Sequence, residues 1–222
     1  MKYITVIPAR GGSKRFPKKN IYPLSGMPLI GHSILYSLNE PMISETYVST
    51  DSKEIKMVSE HLGAKVLMRE PELSGDYVPT SEVLKNVADK LLSMSVSFDY
   101  IVLLQPTNPL RPSSLLKDAI NCLENGDYDS LMTVNKSTQK LGRIIEGSFV
   151  PWNYKFGMRS QDLAPLYYEN GLLYITSKEE ILKGNILGQK MYPMIVDHIY
   201  GEVDIDTFED LQYAEFLCDC KK

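Results

Sequence analysis

The chain has 222 residues, 24 of them basic and 28 acidic, for a net charge of -4, and 43% are hydrophobic. That length suits one large domain or one domain with an insertion, and it can bury a core without disulfides or a structural metal. The acidic balance excludes a general nucleic-acid binder, and Cys122, Cys218 and Cys220 lack disulfide-framework or zinc-ligand spacing, which fits a reducing, cytoplasmic setting.

No repeat or low-complexity tract occurs, and no 18-residue apolar run predicts a membrane span or a secretory leader. Tyr3 to Ile7 predicts a strand, a Gly/Lys/Arg loop follows, and Pro28 opens a helix with Ile30, Ile34, Leu35 and Leu38 at helical spacing. Tyr47 to Thr50 predicts a second strand, with Asp51 or Ser52 capping a helix that ends before Gly63. Val66 to Met68, Tyr100 to Leu104 and Leu131 to Val134 predict further strands, separated by helices over Ser81 to Met94 and Ser113 to Asn125. Strands alternating with helices predict an α/β fold with a mostly parallel sheet.

From Asn135 to Tyr168 the rhythm fails, and glycines and prolines interrupt short apolar pieces. This reads as an insertion into a single domain spanning 1–222. Its content of Phe149, Trp152, Tyr154, Phe156, Tyr167 and Tyr168 is high for a solvated loop, so it should bury against a second subunit or against its own domain. Gly171 to Thr176 resumes a strand and Lys178 to Leu182 a short helix. Thr207 with Asp210 predicts a capping-box start for the last helix.

The richest segment is Pro8 to Asn20, where Arg10, Lys14, Arg15, Lys18 and Lys19 place five cations within ten residues around Gly11 and Gly12. At the carboxyl end of a first strand, such a loop suits a triphosphate, because glycines let backbone N–H groups approach phosphate closely. It matches neither the Walker A loop nor the dinucleotide fingerprint, and a solvated basic loop is the alternative. Asp204 and Asp206 flank Ile205 in an extended segment, so both carboxylates share one face and suit a hard dication such as Mg²⁺; the alternative has Asp206 capping the last helix. Gln105 to Arg111 follows the most apolar strand, where polar groups can read a base or sugar; Arg111 could equally form a surface ion pair. His32, His61 and His198 have no partner at metal-ligand spacing.

Six ordered blocks carry a family resemblance: Ile7 to Asn20, Val48 to Ser52, Arg69 to Asp76, Leu103 to Arg111, Asn170 to Ile175 and Asp204 to Thr207. Together they resemble the sialic-acid-type cytidylyltransferases, the CMP-N-acetylneuraminate synthetase family, over nearly the whole chain. The resemblance implies a Rossmann-like nucleotidyltransferase with an inserted dimerisation segment at 135–168. It implies a homodimer that uses CTP, Mg²⁺ or Mn²⁺ and a 2-keto-3-deoxy sugar acid, without nucleic acid or membrane.

By that resemblance, Ala9, Arg10, Gly12, Ser13, Lys14, Lys18, Asn20, Arg69 and Thr80 form the nucleotide site, with Thr80 where a serine is familiar. Gln105, Arg159, Gln161 and Tyr168 form the sugar site, and Asp204 and Asp206 hold the metal. Arg10, Lys14, Gln105 and Asp206 take the catalytic roles. Tyr168 departs from the family, since an arginine often stands there to pair with the sugar carboxylate; Arg159 or Lys155 would have to replace it. A CMP-Kdo synthetase, or a nucleotide-binding regulator that kept the fold without catalysis, are the competing readings.

Overall fold

In the computed structural model, which describes residues 1–220, the first apolar run forms β1 (Tyr3–Pro8). Alternate strand side chains face opposite sides. Tyr3 and Ile7 therefore enter one apolar layer and Ile4 and Val6 the other. Thr5 accepts a hydrogen bond at 2.6 Å from the Ser37 hydroxyl, so neither buried group is left unsatisfied. A tight hairpin of β2 (Pro23–Leu24) and β3 (Met27–Pro28) turns at Ser25 and Gly26, both at positive φ, and delivers α1 (Leu29–Leu38).

β4 (Ile43–Thr50), α2 (Lys53–His61) and β5 (Lys65–Met68) follow. Ser52 is the residue that caps α2, accepting from the Ile55 N–H, and Asp51 is thereby free for another task. α3 (Thr80–Ser93), β6 (Tyr100–Leu103) and α4 (Leu115–Asn125) continue the alternation.

β7 (Ser130–Ser137) and β10 (Leu166–Ser177) run longer than their apolar cores predict and pair antiparallel as far as Leu166 opposite Ser137. Residues 135–137 and 166–168, which read as irregular in sequence, are therefore strand. Between them lie the hairpin β8 (Gly142–Ile145) and β9 (Ser148–Pro151) and a 3-10 turn at Ser160–Asp162. Ile144, Phe149, Trp152 and Phe156 remain exposed in the single chain. The short helix α5 (Lys178–Leu182), the strand β11 (Met191–Ile195), which the sequence reading lacks, and α6 (Phe208–Asp219) complete the order. Among the described residues no helix is long and apolar enough to cross a membrane.

The main sheet has the order β11-β7-β10-β6-β1-β4-β5. Neighbours are parallel except at β10, which is antiparallel to both β6 and β7. Side chains of α1, α2 and α4 cover one face and those of α3 and α5 the other. The chain moves from β1 to β4 on one side and later to β6 on the other, so the strand order reverses at β1. At such a point the carboxyl ends diverge and leave a crevice. Pro8, Thr50 and Leu103, which end these three strands, lead directly into the segments that carry the candidate residues. α6 closes a third apolar cluster, in which Leu211 and Leu217 join Phe16, Leu24 and Ile205. Burying each such side chain is worth roughly 1.5–3 kcal/mol, enough to fix the Asp204–Asp206 segment through the one residue between the carboxylates.

Candidate active site

The loop after β1 is held by backbone contacts before any side chain acts. Ala9 N–H donates to the Ser49 carbonyl at 2.9 Å, which extends the β1–β4 pairing by one residue. Gly11 N–H donates to Asp51 Oδ1 at 2.8 Å, and a Cβ on Gly11 would stand 3.0 Å from the Ser52 Cβ. The loop thus lies close against the start of α2. A Cβ on Gly12 would meet nothing within 4 Å, so no neighbour crowds the loop there, although Gly12 itself does not line the cleft. Asn20 Nδ2 donates to the Arg10 carbonyl at 2.9 Å and ties the far end of the loop to its start.

Arg10, Ser13, Asn20, Arg69, Thr80 and Gln105 all line one open cleft of about 290 Å³, so six of the predicted residues are brought together. Arg69 is almost fully buried, donating from Nε to Ser49 Oγ at 3.2 Å and from Nη2 to the Ser49 carbonyl at 2.7 Å. Burial lowers its pKa, with Asp51 opposing the shift. Thr80 is the first residue of α3, where unpaired N–H groups and the helix dipole favour an anion.

Lys14 reaches the same mouth indirectly. Its ammonium and the Arg10 guanidinium both pair with Asp76, the Arg10 contact at 2.5 Å. Hydrogen bonds from Lys14 and then Arg10 hold the Asp76 carboxyl below the usual carboxylate range. Lys18, at positive φ, is turned instead to Glu54 at 3.0 Å and is absent from the cleft lining. Asp76 belongs to the Arg69 to Asp76 block, but no local pattern couples it to a cation 66 residues away.

The carboxylate pair lies at the seam. Ile205 is fully buried and its N–H donates to the Thr107 carbonyl at 2.8 Å, so Asp204 and Asp206 project away from the core. Lys19 Nζ donates to the Ile205 carbonyl and to Asp206 Oδ1, both at 2.8 Å, and Arg15 pairs with Asp206 Oδ2 at 2.5 Å. Burial works to raise the Asp206 carboxyl, but Lys19 and Arg15 overcome it and hold the group low. Asp204 moves the other way: the protein packed behind it raises its carboxyl, with the Asp206 charge adding to the effect against a hydrogen bond from Thr107. The helix cap is made by Thr207 and Asp210 as a full capping box, so the Asp206 side chain is not the cap.

A second cleft, of about 630 Å³, begins on the other side of Gln105, which lines both. Tyr168, Glu169, Asn170, Tyr174, Glu202 and Asp204 line it, with Tyr168 at its exposed rim. It holds three carboxylates and no lysine or arginine. The Tyr174 hydroxyl donates to Glu169 at 3.0 Å. Neither Arg159 nor Gln161 reaches this cleft within one chain; Arg159 is exposed and pairs with Asp162 at 2.9 Å. Lys155 does not line it either.

Arg111 corrects both sequence alternatives. It is 6% exposed, forms no ion pair among the described residues, and faces backbone carbonyls and a hydroxyl instead of a base, a sugar or solvent. A second buried polar knot lies on the same stretch of β10. Asn108 Nδ2 donates to the Asn170 and Val203 carbonyls, Thr133 Oγ1 donates to Asn170 Oδ1, and Asn170 Nδ2 donates to Asn135 Oδ1. These bonds shape the bulge of Asn170–Leu173 in β10, where the pairing register with β7 breaks.

Similarity to known proteins agrees with this geometry. A pseudaminic acid cytidylyltransferase from Campylobacter jejuni is 32% identical over 98% of this chain and 96% of its own length. A CMP-N,N'-diacetyllegionaminic acid synthase from Legionella pneumophila is also 32% identical, with the same coverage. An N-acylneuraminate cytidylyltransferase from Streptococcus agalactiae is 36% identical over 95% of this chain and 52% of its own. A CMP:2-keto-3-deoxy-manno-octonic acid synthetase solved with CTP superposes with a TM-score of 0.75 at 16% identity, covering all of both chains, which is a likeness of fold. A cytidylyltransferase family model matches residues 4–222, and the chain belongs to the cytidylyltransferase family.

Proposed function

We propose that the chain transfers the cytidylyl group of CTP to the anomeric C2 hydroxyl of a nine-carbon 2-keto-3-deoxy sugar acid of the sialic type, giving a CMP-sugar and pyrophosphate. The observation that carries this reading is the position of Gln105, shared by a cleft with Arg10, Asn20 and Arg69 and a cleft with Asp204. Nucleotide and sugar would meet at that wall. The names of the three relatives support the sugar class.

The sugar oxygen bonds to the α-phosphorus as the bond from that phosphorus to the bridging oxygen of pyrophosphate breaks, and the hydroxyl proton leaves to water. In-line displacement of this kind depends on positioning and charge stabilisation. Arg10 and Lys14 offset the charge growing on pyrophosphate once Asp76 gives them up. Asn20, Arg69 and Thr80 hold the cytidine end, and Gln105 orients the sugar acid.

Asp204 and Asp206 offer oxygen donors on one side of the segment, near enough to repel each other, and no ion pair holds Asp204 among the described residues. This donor set fits a hard dication, Mg²⁺ or Mn²⁺, with the exposed Arg15 giving up its oxygen on Asp206. Such an ion, when bound, would polarise the α-phosphate and make the sugar hydroxyl more acidic. Asp206→Ala should therefore cut turnover by orders of magnitude at ordinary Mg²⁺, and near-normal turnover would remove the metal assignment.

A homodimer is part of the proposal. The exposed Ile144, Phe149, Trp152 and Phe156 make a patch of the kind that marks an interface, on the same inserted segment of a single domain that carries Arg159 and Gln161. Those two side chains would reach a partner's sugar cleft. Sedimentation should give twice the 25.2 kDa chain mass, and a monomer would refute this part. A reducing, cytoplasmic setting is supported by the free cysteines Cys122, Cys218 and Cys220.

The direct test is pyrophosphate release from CTP and Mg²⁺ with a panel of nine-carbon and eight-carbon 2-keto sugar acids, products identified by mass. A CMP-sugar from a nine-carbon acid is expected. Release with the eight-carbon acid alone would reassign the substrate, and CTP binding without any release would remove the catalytic reading.

A further inference from the structure

Among the described residues the buried Arg111 guanidinium has no carboxylate partner, a costly arrangement that an apolar side chain of similar volume would avoid. Its three nitrogens each have an acceptor on a different element. Nε donates to the Leu172 carbonyl in the β10 bulge at 2.7 Å. Nη1 donates to Ser33 Oγ on α1 at 2.9 Å, and Nη2 donates to the Gln105 carbonyl beyond β6 at 2.9 Å. Ser33 Oγ in turn donates to the same Gln105 carbonyl at 3.4 Å. On one side the Tyr36 ring lies 5.6 Å from the guanidinium, and the Tyr36 hydroxyl, fixed between Pro112 and Leu116, keeps that ring in place. Burial lowers the Arg111 pKa to about 10, which leaves the group charged at neutral pH and all its donors present.

The two backbone segments that Arg111 joins are the two walls of the second cleft. Gln105 stands on one, and Asn170 and Gly171, immediately before Leu172, stand on the other. Resting on the reading of that cleft as the sugar site, we propose that Arg111 is the positioning residue of the sugar side: its planar fork sets the separation of Gln105 from the Asn170–Gly171 bulge. It touches neither substrate. A lysine has the charge but not the fork, and cannot meet acceptors on three elements in one plane.

The test uses the full chain with Arg111→Lys and the milder Ser33→Ala, which removes one acceptor. CTP affinity, measured by titration calorimetry, should stay within about twofold of the parent, because the nucleotide cleft is walled mainly by other segments. The KM for the sugar acid should rise and kcat should fall, together by roughly 10- to 100-fold for Arg111→Lys, the scale of an ångström-level misplacement. Ser33→Ala should shift both in the same direction by less. In Arg111→Ala, added guanidinium ion should restore part of the turnover where an equal concentration of sodium chloride does not. Amide hydrogen exchange should quicken at 105–108 and 170–173 but not at 9–20.

Unchanged kinetics in Arg111→Lys, or a rise in sugar KM matched by an equal loss of CTP affinity and a fall in melting temperature, would overturn the positioning role. Should the parent protein turn over no sugar acid, the substrate reading fails by itself. The exchange pattern then still decides: protection lost at 105–108 and 170–173 alone upholds the positioning role, and any other pattern refutes it.

Discussion

Gly171→Ala tests how the wall of the second cleft is built. Gly171 lies at φ +73, and a Cβ there would come within 2.7 Å of Asn108 Oδ1 and 3.1 Å of Asn108 Cγ. Asn108 is buried and cannot swing away without leaving the Asn170 and Val203 carbonyls that its Nδ2 serves, at 3.1 and 2.8 Å. The left-handed backbone costs an alanine about 1–2 kcal/mol. Losing one or both of the Asn108 bonds adds about 1–2 kcal/mol. The sum, about 2–4 kcal/mol, corresponds to a fall in melting temperature of roughly 4–16 °C for a chain of this size. Because Val203 directly precedes Asp204, turnover should fall as well. Thermal unfolding of Gly171→Ala, Asn108→Ala and the double variant separates the contributions. If the clash matters, the Gly171→Ala penalty shrinks to the backbone cost, about 1–2 kcal/mol, once Asn108 is truncated. A melting temperature within a degree of the parent, or strict additivity in the cycle, would refute the reasoning.

Three further substitutions probe other parts of the site. Asp76→Asn removes the anion that holds Arg10 and Lys14, so CTP should bind more tightly by calorimetry; equal or weaker binding would show that Asp76 does not compete with the triphosphate. Asp204→Asn should raise the melting temperature in metal-free buffer at pH 7 while lowering turnover. Its carboxyl is lifted in the folded state, so the charged form opposes folding above the unfolded pKa, and the gain should vanish as pH falls below about 4. A Tm advantage that persists at pH 3 would contradict this sign. Thr207→Ala breaks the capping box of α6 and should cost about 1 kcal/mol in chemical denaturation. No loss would mean that Asp210, which also takes the Asp206 and Thr207 N–H groups, holds the helix start without the hydroxyl.

Local chemistry made much of the fold legible in the sequence. The periodicity of Ile30, Ile34 and Leu38 located α1, and the Thr207/Asp210 spacing located the start of α6. What stayed hidden depends on partners. β11 contains Pro193 and lies at the sheet edge with β7 as its one neighbour, so neither its composition nor a buried alternation announced a strand. β7 and β10 extend beyond their apolar cores because they pair with each other, which no single-strand pattern records. At the site, Arg10, Asn20, Arg69, Thr80 and Gln105 converge as the motif order implied, since each follows or starts an element on the same sheet edge. The contacts Arg10–Asp76 and Lys19–Asp206 join residues 66 and 187 positions apart. The sequence carries both halves of each pair and no sign that they meet. Arg111 was misread for the same reason: its acceptors are backbone groups, which are identical at every position.

The loop cations divide by how firmly the chain holds them. Arg10 and Lys14 share Asp76, Lys18 has Glu54, and Arg15 shares Asp206 with Lys19, so in the free chain each has a carboxylate partner although three carboxylates serve five cations and leave the loop net positive. Most of these pairs are solvent-exposed, and exposed pairs contribute little to stability. They can exchange one anion for another at small cost. Lys19 and Arg69 differ, being buried and fixed by backbone carbonyls at 2.8 and 2.7 Å. A polyanion entering the first cleft would therefore meet a buried floor and a set of exposed, carboxylate-paired cations whose present partners it must displace. The second cleft is built on the opposite plan, with carboxylates along its lining and the Arg111 guanidinium buried behind its wall. On the proposed reading, this chain would recognise a sugar acid there through its hydroxyl and amide hydrogens. Its own carboxylate would then pair with a cation supplied by the proposed partner subunit or metal.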